Sequence, residues 1–99
     1  MKVKWMLSAT NDLKKIYKFY KKNASVEVAQ KILDEIFTTT DTLQLGIYLG
    51  QEEELLKHCG QGHRYLISNH SKIIYLPCQD HVKITHVFDT RDNPNKIST

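Results

Sequence analysis

Three groups of residues carry side chains that could bind or react. The first is thiol and imidazole: His58-Cys59-x3-His63 and Cys78-x2-His81 can be drawn as the ligand set of a zinc ion. The spacing matches no compact finger, and sets assembled from scattered His and Cys are easily spurious. The simpler expectation is no metal, a half-buried thiol, and histidines at turns and strand ends. Two cysteines, Cys59 and Cys78, are also too few for a disulfide framework. The second group closes the last apolar run: Phe88-Asp89-Thr90-Arg91-Asp92-Asn93-Pro94 places an Arg, an Asn and a Pro where a strand gives way to a turn. A guanidinium fixed there would sit at a sheet rim. The third group is cationic. Residues 1–31 hold eight lysines against Asp12 and Glu27, although the net charge of the whole chain is only +3. Such asymmetry suggests a basic face that attracts an acidic partner, or simply a solvated helix face.

The elements that must position these groups follow from periodicity. Val3, Trp5 and Leu7 alternate with polar or flexible neighbours, which predicts a first strand over residues 2–7. Ser8 could cap a helix in which Ala9, Leu13, Ile16, Tyr17 and Tyr20 form the apolar stripe. Ser25 would open a second helix with Ala29, Ile32, Leu33 and Ile36 on one face and Phe37 extending it. The β-branched run Thr38–Thr40 weakens its end. The connection Asn23-Ala24 is short, so the two helices are antiparallel neighbours. Leu43 to Gln61 reads as irregular, with glycines as breakers and a possible helical turn over Glu52–Lys57. Three strands then follow at His63–Ser68, Lys72–Pro77 and Val82–Phe88, joined by the short turns Asn69-His70-Ser71 and Gln79-Asp80-His81. Pro77 should end its strand or sit at a bulge.

The expected fold is α+β, in the order β-α-α-β-β-β: a helical hairpin packed on one face of a mainly antiparallel, four-stranded sheet. At 99 residues the chain reads as one domain. No apolar run is long enough to span a bilayer, and the N-terminus has no signal-peptide core. The expected location is therefore the cytoplasm.

Taken in order, Trp5, Ala9-x2-Asp12-Leu13-x2-Ile16, Ala29-x2-Ile32-x3-Ile36, Leu43 with Gly50, Arg64-Tyr65-Leu66-Ile67, Lys72-Ile73-Ile74-Tyr75 and Val87 to Pro94 resemble the ParE/RelE superfamily of bacterial type II toxins. The resemblance covers essentially the whole chain. It implies a growth-inhibiting cytoplasmic toxin, of the kind tied to plasmid stabilization, and a cognate antitoxin. RelE-like members cleave messenger RNA on the ribosome. Such chemistry needs a base for the 2′-hydroxyl and cations around the phosphorane. By that resemblance Arg64, Lys72 and Arg91 would be the catalytic cations, and His63, His81 or His86 could supply a base. Tyr65 and Ile67 stand where further cations would be expected, and no tyrosine follows Arg91. ParE-like members instead inhibit DNA gyrase by binding it. The Asp89-Thr90-Arg91-x-Asn93-Pro94 ending is more similar to that branch, which makes Arg64, Arg91 and Asn93 target-binding candidates. A member that only binds antitoxin is a further alternative.

Plainer roles stand beside these. Arg64 would be a rim residue paired with a carboxylate such as Asp89, and Arg91 a turn residue pinned by Asn93-Pro94. Tyr17, Tyr20, Tyr65 and Tyr75 would pack with their hydroxyls at the surface. An acidic antitoxin segment would seat on Lys14, Tyr17, Lys18 and Lys21 of the first helix. No cofactor is expected, and no sequence-specific DNA binding by the chain alone.

Overall fold

The computed structural model describes residues 2–45, 51–52 and 62–91. Strand β1 (Lys2–Trp5) leads into helix α1 (Leu7–Asn23) and helix α2 (Val26–Asp41), and a single 3-10 turn follows at Thr42–Leu45. The remaining strands are β2 (Gln51–Glu52), β3 (Arg64–Ser68), β4 (Ser71–Pro77) and β5 (His81–Asp89). The expected order of elements is present, with the two-residue β2 added at one edge. The sheet is five-stranded, in the order β1-β5-β4-β3-β2. β2 to β5 pair antiparallel, whereas β1 pairs parallel with β5. The glycines at 46 and 50, most of the Glu52–Lys57 turn, His58, Cys59 and Asp92 onward lie outside the described residues.

Side-chain alternation along the strands decides which face meets the helices. Ile73, Tyr75, Val82, Ile84 and Val87 form one buried cluster with Ala9, Leu13, Ile36 and Leu43; Val3, Trp5, Ile16, Ile32, Leu33 and Leu66 pack around it. The two helical stripes read from the sequence thus cover the sheet as expected. Phe37 is more exposed than the rest of its stripe (39%) and packs edge to face against Trp5, with ring centroids 5.5 Å apart. Tyr75 departs from expectation: it is wholly buried, at the centre of the core.

Local chemistry sets the boundaries. Ser25 caps α2 by accepting from the Val28 N–H at 3.1 Å. The helix runs on through Thr38–Thr40 to Asp41, with the Thr38 and Thr39 hydroxyls donating to the carbonyls four residues back. Pro77 is the last residue of β4, where its missing N–H does no harm. The β3–β4 turn rests on Asn69, whose φ of 55° lies in the left-handed region that Asn tolerates.

Ser8 corrects the sequence reading. The first strand ends at Trp5 and Met6 is the cap, so Ser8 already lies inside the helix. Its hydroxyl donates to the Thr85 carbonyl at 2.6 Å. One turn on, a carboxylate oxygen of Asp12 accepts from the Val87 N–H at 3.0 Å. β1 pairs β5 only as far as Ile84. Beyond that point the outward-facing groups of β5 would be orphaned, and two side chains one helical turn apart satisfy them.

Candidate functional site

Arg91 follows β5 in a turn whose Thr90 N–H donates across to the His70 carbonyl, in the β3–β4 turn, at 2.7 Å. Its guanidinium grips Asp89 with two donors, at 2.9 and 2.6 Å, and its own backbone N–H donates to the same carboxylate at 2.8 Å. A further donor reaches the Tyr20 hydroxyl at 3.1 Å. Tyr20 lies in the last turns of α1, beside Lys21 and Lys22 and edge to face with Phe19. The guanidinium therefore joins the end of the last strand to the end of the first helix, and its side chain remains 56% exposed. The fork geometry fixes its direction. Arg91 holds the Asp89 carboxyl below the usual carboxylate range by hydrogen bonding, and Asp89 in turn keeps Arg91 firmly charged.

This arrangement changes one sequence expectation and adds partners to another. Asp89 is paired with Arg91, not with Arg64. Asp89 lies level with Ser68 across the sheet, while Arg64 begins β3 four residues earlier, about 13 Å along the strand. Arg91 is pinned through Asp89 and Tyr20; Asn93 and Pro94 lie outside the described residues. The partnership with Tyr20 was not legible in the sequence, since no spacing rule links residues 71 positions apart.

The three cations singled out for phosphoryl chemistry stand apart. Arg64 is exposed at the start of β3, on the side of Leu66 and Ile73. Lys72 points from the opposite face of the sheet, where its ammonium lies 4.2 Å from the Tyr65 ring centroid and 5.7 Å from that of Phe88. Arg91 sits at the rim facing α1. Among the histidines, His63 is buried, and His81 is engaged by Asp80 at 2.6 Å, which lowers the Asp80 pKa from its ordinary value. His86 is half-buried, with its Nδ1 3.1 Å from the Thr85 hydroxyl. Among the described residues no group of three or more His, Cys, Asp or Glu could hold a metal.

The candidates on α1 fall together more closely. Lys14, Tyr17 and Lys18 line a groove of about 250 Å³ with Thr10, Leu13 and, across on α2, Leu33. Its floor is apolar and its rim carries two ammonium groups. Lys21 is not among the residues lining the groove; it follows Tyr20 in the last turn of α1. A wider, more polar groove of about 760 Å³ lies beyond α2, where Glu27, Asp34 and Glu35 meet the β3–β4 turn. Glu35 accepts there from the Asn69 amide.

The sequence matches the family described as the ParE toxin of the type II toxin–antitoxin system parDE, over residues 3–94. The chain belongs to the ParE toxin family. The match runs from β1 past the Arg91 clamp, and so includes every element described above. A solved chain from the chromosomal ParDE toxin–antitoxin system of P. aeruginosa superposes with a TM-score of 0.77. It shares 22% identity, and the superposition covers 90% of this chain and 95% of that one. At that identity the likeness speaks for the fold. No curated protein matches the sequence significantly. As a ParE-family member the chain is a type II toxin. Among the described residues no helix is long and apolar enough to cross a membrane.

Proposed function

We propose that this ParE-family chain arrests growth in the cytoplasm by binding DNA gyrase, breaks no bond itself, and is restrained by a cognate antitoxin. The observation that carries the reading is the dispersal of Arg64, Lys72 and Arg91. In-line phosphoryl transfer needs cations gathered around one phosphate within a few ångströms of a base. Here they occupy one end of β3, the sheet face away from the helices, and the rim. A rigidly aimed and half-exposed Arg91 suits recognition of a protein surface, where arginine is a frequent anchor. Arg64 and Asn93 complete the proposed target-binding set.

For the antitoxin, the α1–α2 groove offers an apolar floor between Leu13, Tyr17 and Leu33 and a rim of Lys14 and Lys18. That combination fits an acidic segment with apolar anchors at helical spacing, disordered until it docks. Lys21 extends the cationic rim toward the clamp.

Purified chain added to a gyrase supercoiling assay tests the target. The expected result is inhibition at micromolar concentration or below. Unchanged supercoiling, together with new messenger RNA ends in primer extension after induction, would replace the binding reading with ribosome-dependent cleavage.

A further inference from the structure

The corner where the end of α1 meets the end of β5 has spent its acceptors and kept its donors. Both carboxylate oxygens of Asp89 receive from Arg91, and the Tyr20 hydroxyl oxygen receives from Arg91 Nη2. Two carbonyls in the last turns of α1 are taken as well. The Asn23 amide donates to that of Phe19 at 2.8 Å, and the Ala24 N–H donates to that of Tyr20 at 2.9 Å. On the donor side, Arg91 commits Nε and Nη2, which leaves Nη1 without an acceptor among the described residues. Tyr20 accepts from Arg91, so its own O–H remains to be donated. Lys21 and Lys22 follow at once in the same turn, and among the described residues neither has an ion-pair partner.

The planarity of the guanidinium fixes where these donors point. Its Nε–Nη2 edge faces Asp89. The second Nη2 hydrogen, directed at Tyr20, therefore lies on the edge that Nη2 shares with Nη1. Nη1 and the Tyr20 hydroxyl thus border one small opening, on the side of the guanidinium away from Asp89. Two converging donors beside two ammonium groups suit a group that only accepts and carries negative charge, as a carboxylate does with its paired oxygens. Phe19 supplies an apolar flank: it packs edge to face on Tyr20, with ring centroids 5.2 Å apart, and is 53% exposed.

We propose that Arg91 Nη1 and the Tyr20 O–H together receive one carboxylate of the toxin's target, an Asp or Glu side chain next to an apolar residue that packs on Phe19. The inference rests on the reading of Arg91 as a target contact. It adds Tyr20, both as a second donor and as the group that sets the direction of the guanidinium, and it names the chemistry of the group received. A backbone carbonyl would engage only one of the two donors and leave the ammonium groups unanswered.

The experiment has two arms. The first measures how much folded toxin gives half-maximal growth arrest in cells without antitoxin, and so presumes no particular target. Tyr20→Phe, which removes only the hydroxyl, should require about tenfold more toxin than the parent, the low end for a hydrogen bond to a charged group. Arg91→Ala should require roughly a hundredfold more. The double variant should resemble Arg91→Ala alone, because the two groups act on one carboxylate. Arg91→Lys, which keeps the charge and lacks the fork, should also resemble Arg91→Ala, and it keeps the test open should Tyr20→Phe fail to fold by circular dichroism. Parent-like toxicity of folded Tyr20→Phe or of Arg91→Lys would overturn the proposal, as would losses that multiply in the double variant. Parent-like toxicity of Arg91→Ala would instead remove the underlying reading of Arg91 as a target contact, and the proposal with it. The second arm follows the Arg91 Nε–H and Tyr20 ring signals by NMR as the purified chain is titrated with acetylated and amidated Glu-Phe-Glu, its Gln-Phe-Gln counterpart, or inorganic phosphate. The Glu peptide should shift both signals saturably at millimolar concentration and the Gln peptide should not. Equal shifts by the two peptides, no shift by the Glu peptide, or a response to phosphate as strong as to the Glu peptide would overturn the assignment of a carboxylate.

Discussion

At the scale of the residue, Arg91 combines two properties that usually exclude each other. It is fixed by three donors to Asp89 and Tyr20, yet over half of its side chain meets solvent. An exposed ion pair contributes at most about 1 kcal/mol, so Arg91→Ala should lower the urea unfolding midpoint only slightly, by about as much as loss of the Asp89 charge. Its effect belongs in function: colony formation after induction should return to near the uninduced level. Undiminished growth arrest by a folded variant would remove Arg91 from the site. Asp89 makes a pH prediction. Its folded pKa lies below the ordinary value near 4, so the folded state binds fewer protons than the unfolded one in that range. The Asp89 contribution is therefore present above about pH 5 and is lost as pH falls through the folded pKa. Urea titrations of the parent and Asp89→Asn should differ slightly at pH 6, and the difference should shrink as the pH is lowered below the ordinary carboxylate range. A constant difference would mean that the carboxylate charge is not what holds the turn.

At the scale of the element, α1 does two jobs. One face packs Ala9 and Leu13 into the core, while Ser8 and Asp12 complete the hydrogen bonding of β5 beyond the end of β1. Asp12→Ala would leave the half-buried Val87 N–H without its acceptor, at a cost of about 1–3 kcal/mol measured by chemical denaturation. Asp12→Asn, which keeps an oxygen at that place, should retain most of the stability. The helical stripes, the Ser25 cap, the strand-ending Pro77 and the three-strand meander were all legible in the sequence, because each depends on local spacing. What was not legible depends on register. Ser8 looks like a cap until Leu7 is known to be helical already. Asp12 looks like a surface charge until β1 is known to stop short. Asp89 could be assigned to Arg64 or Arg91 until the ladder sets Asp89 level with Ser68. The two-residue β2 pairing is too short for any periodicity to announce it.

At the scale of the whole molecule, the lysines of the first third are spread over more than one surface. Lys14 and Lys18 rim the inter-helix groove; Lys2 and Lys4 stand on the far side of the sheet. Opposite faces of one small domain can therefore be basic while the total charge stays at +3. For the proposed antitoxin this implies association assisted by long-range attraction. Raising salt from 50 to 500 mM should slow the on-rate several-fold and change the off-rate little. Lys14→Glu/Lys18→Glu should reproduce that slowing at low salt in a stopped-flow or surface-binding experiment. An on-rate indifferent to both would place the antitoxin elsewhere on the toxin.

The Ser8–Asp12 seal has a bearing on sheet growth at this flank. An extended visitor laid along the outside of β1 would find rungs only over Lys2–Trp5 before running into the side of a helix. The ribbon cannot lengthen there into a long shared ladder. Any strand-like guest must be brief, or must draw its hold from what its flanking residues touch.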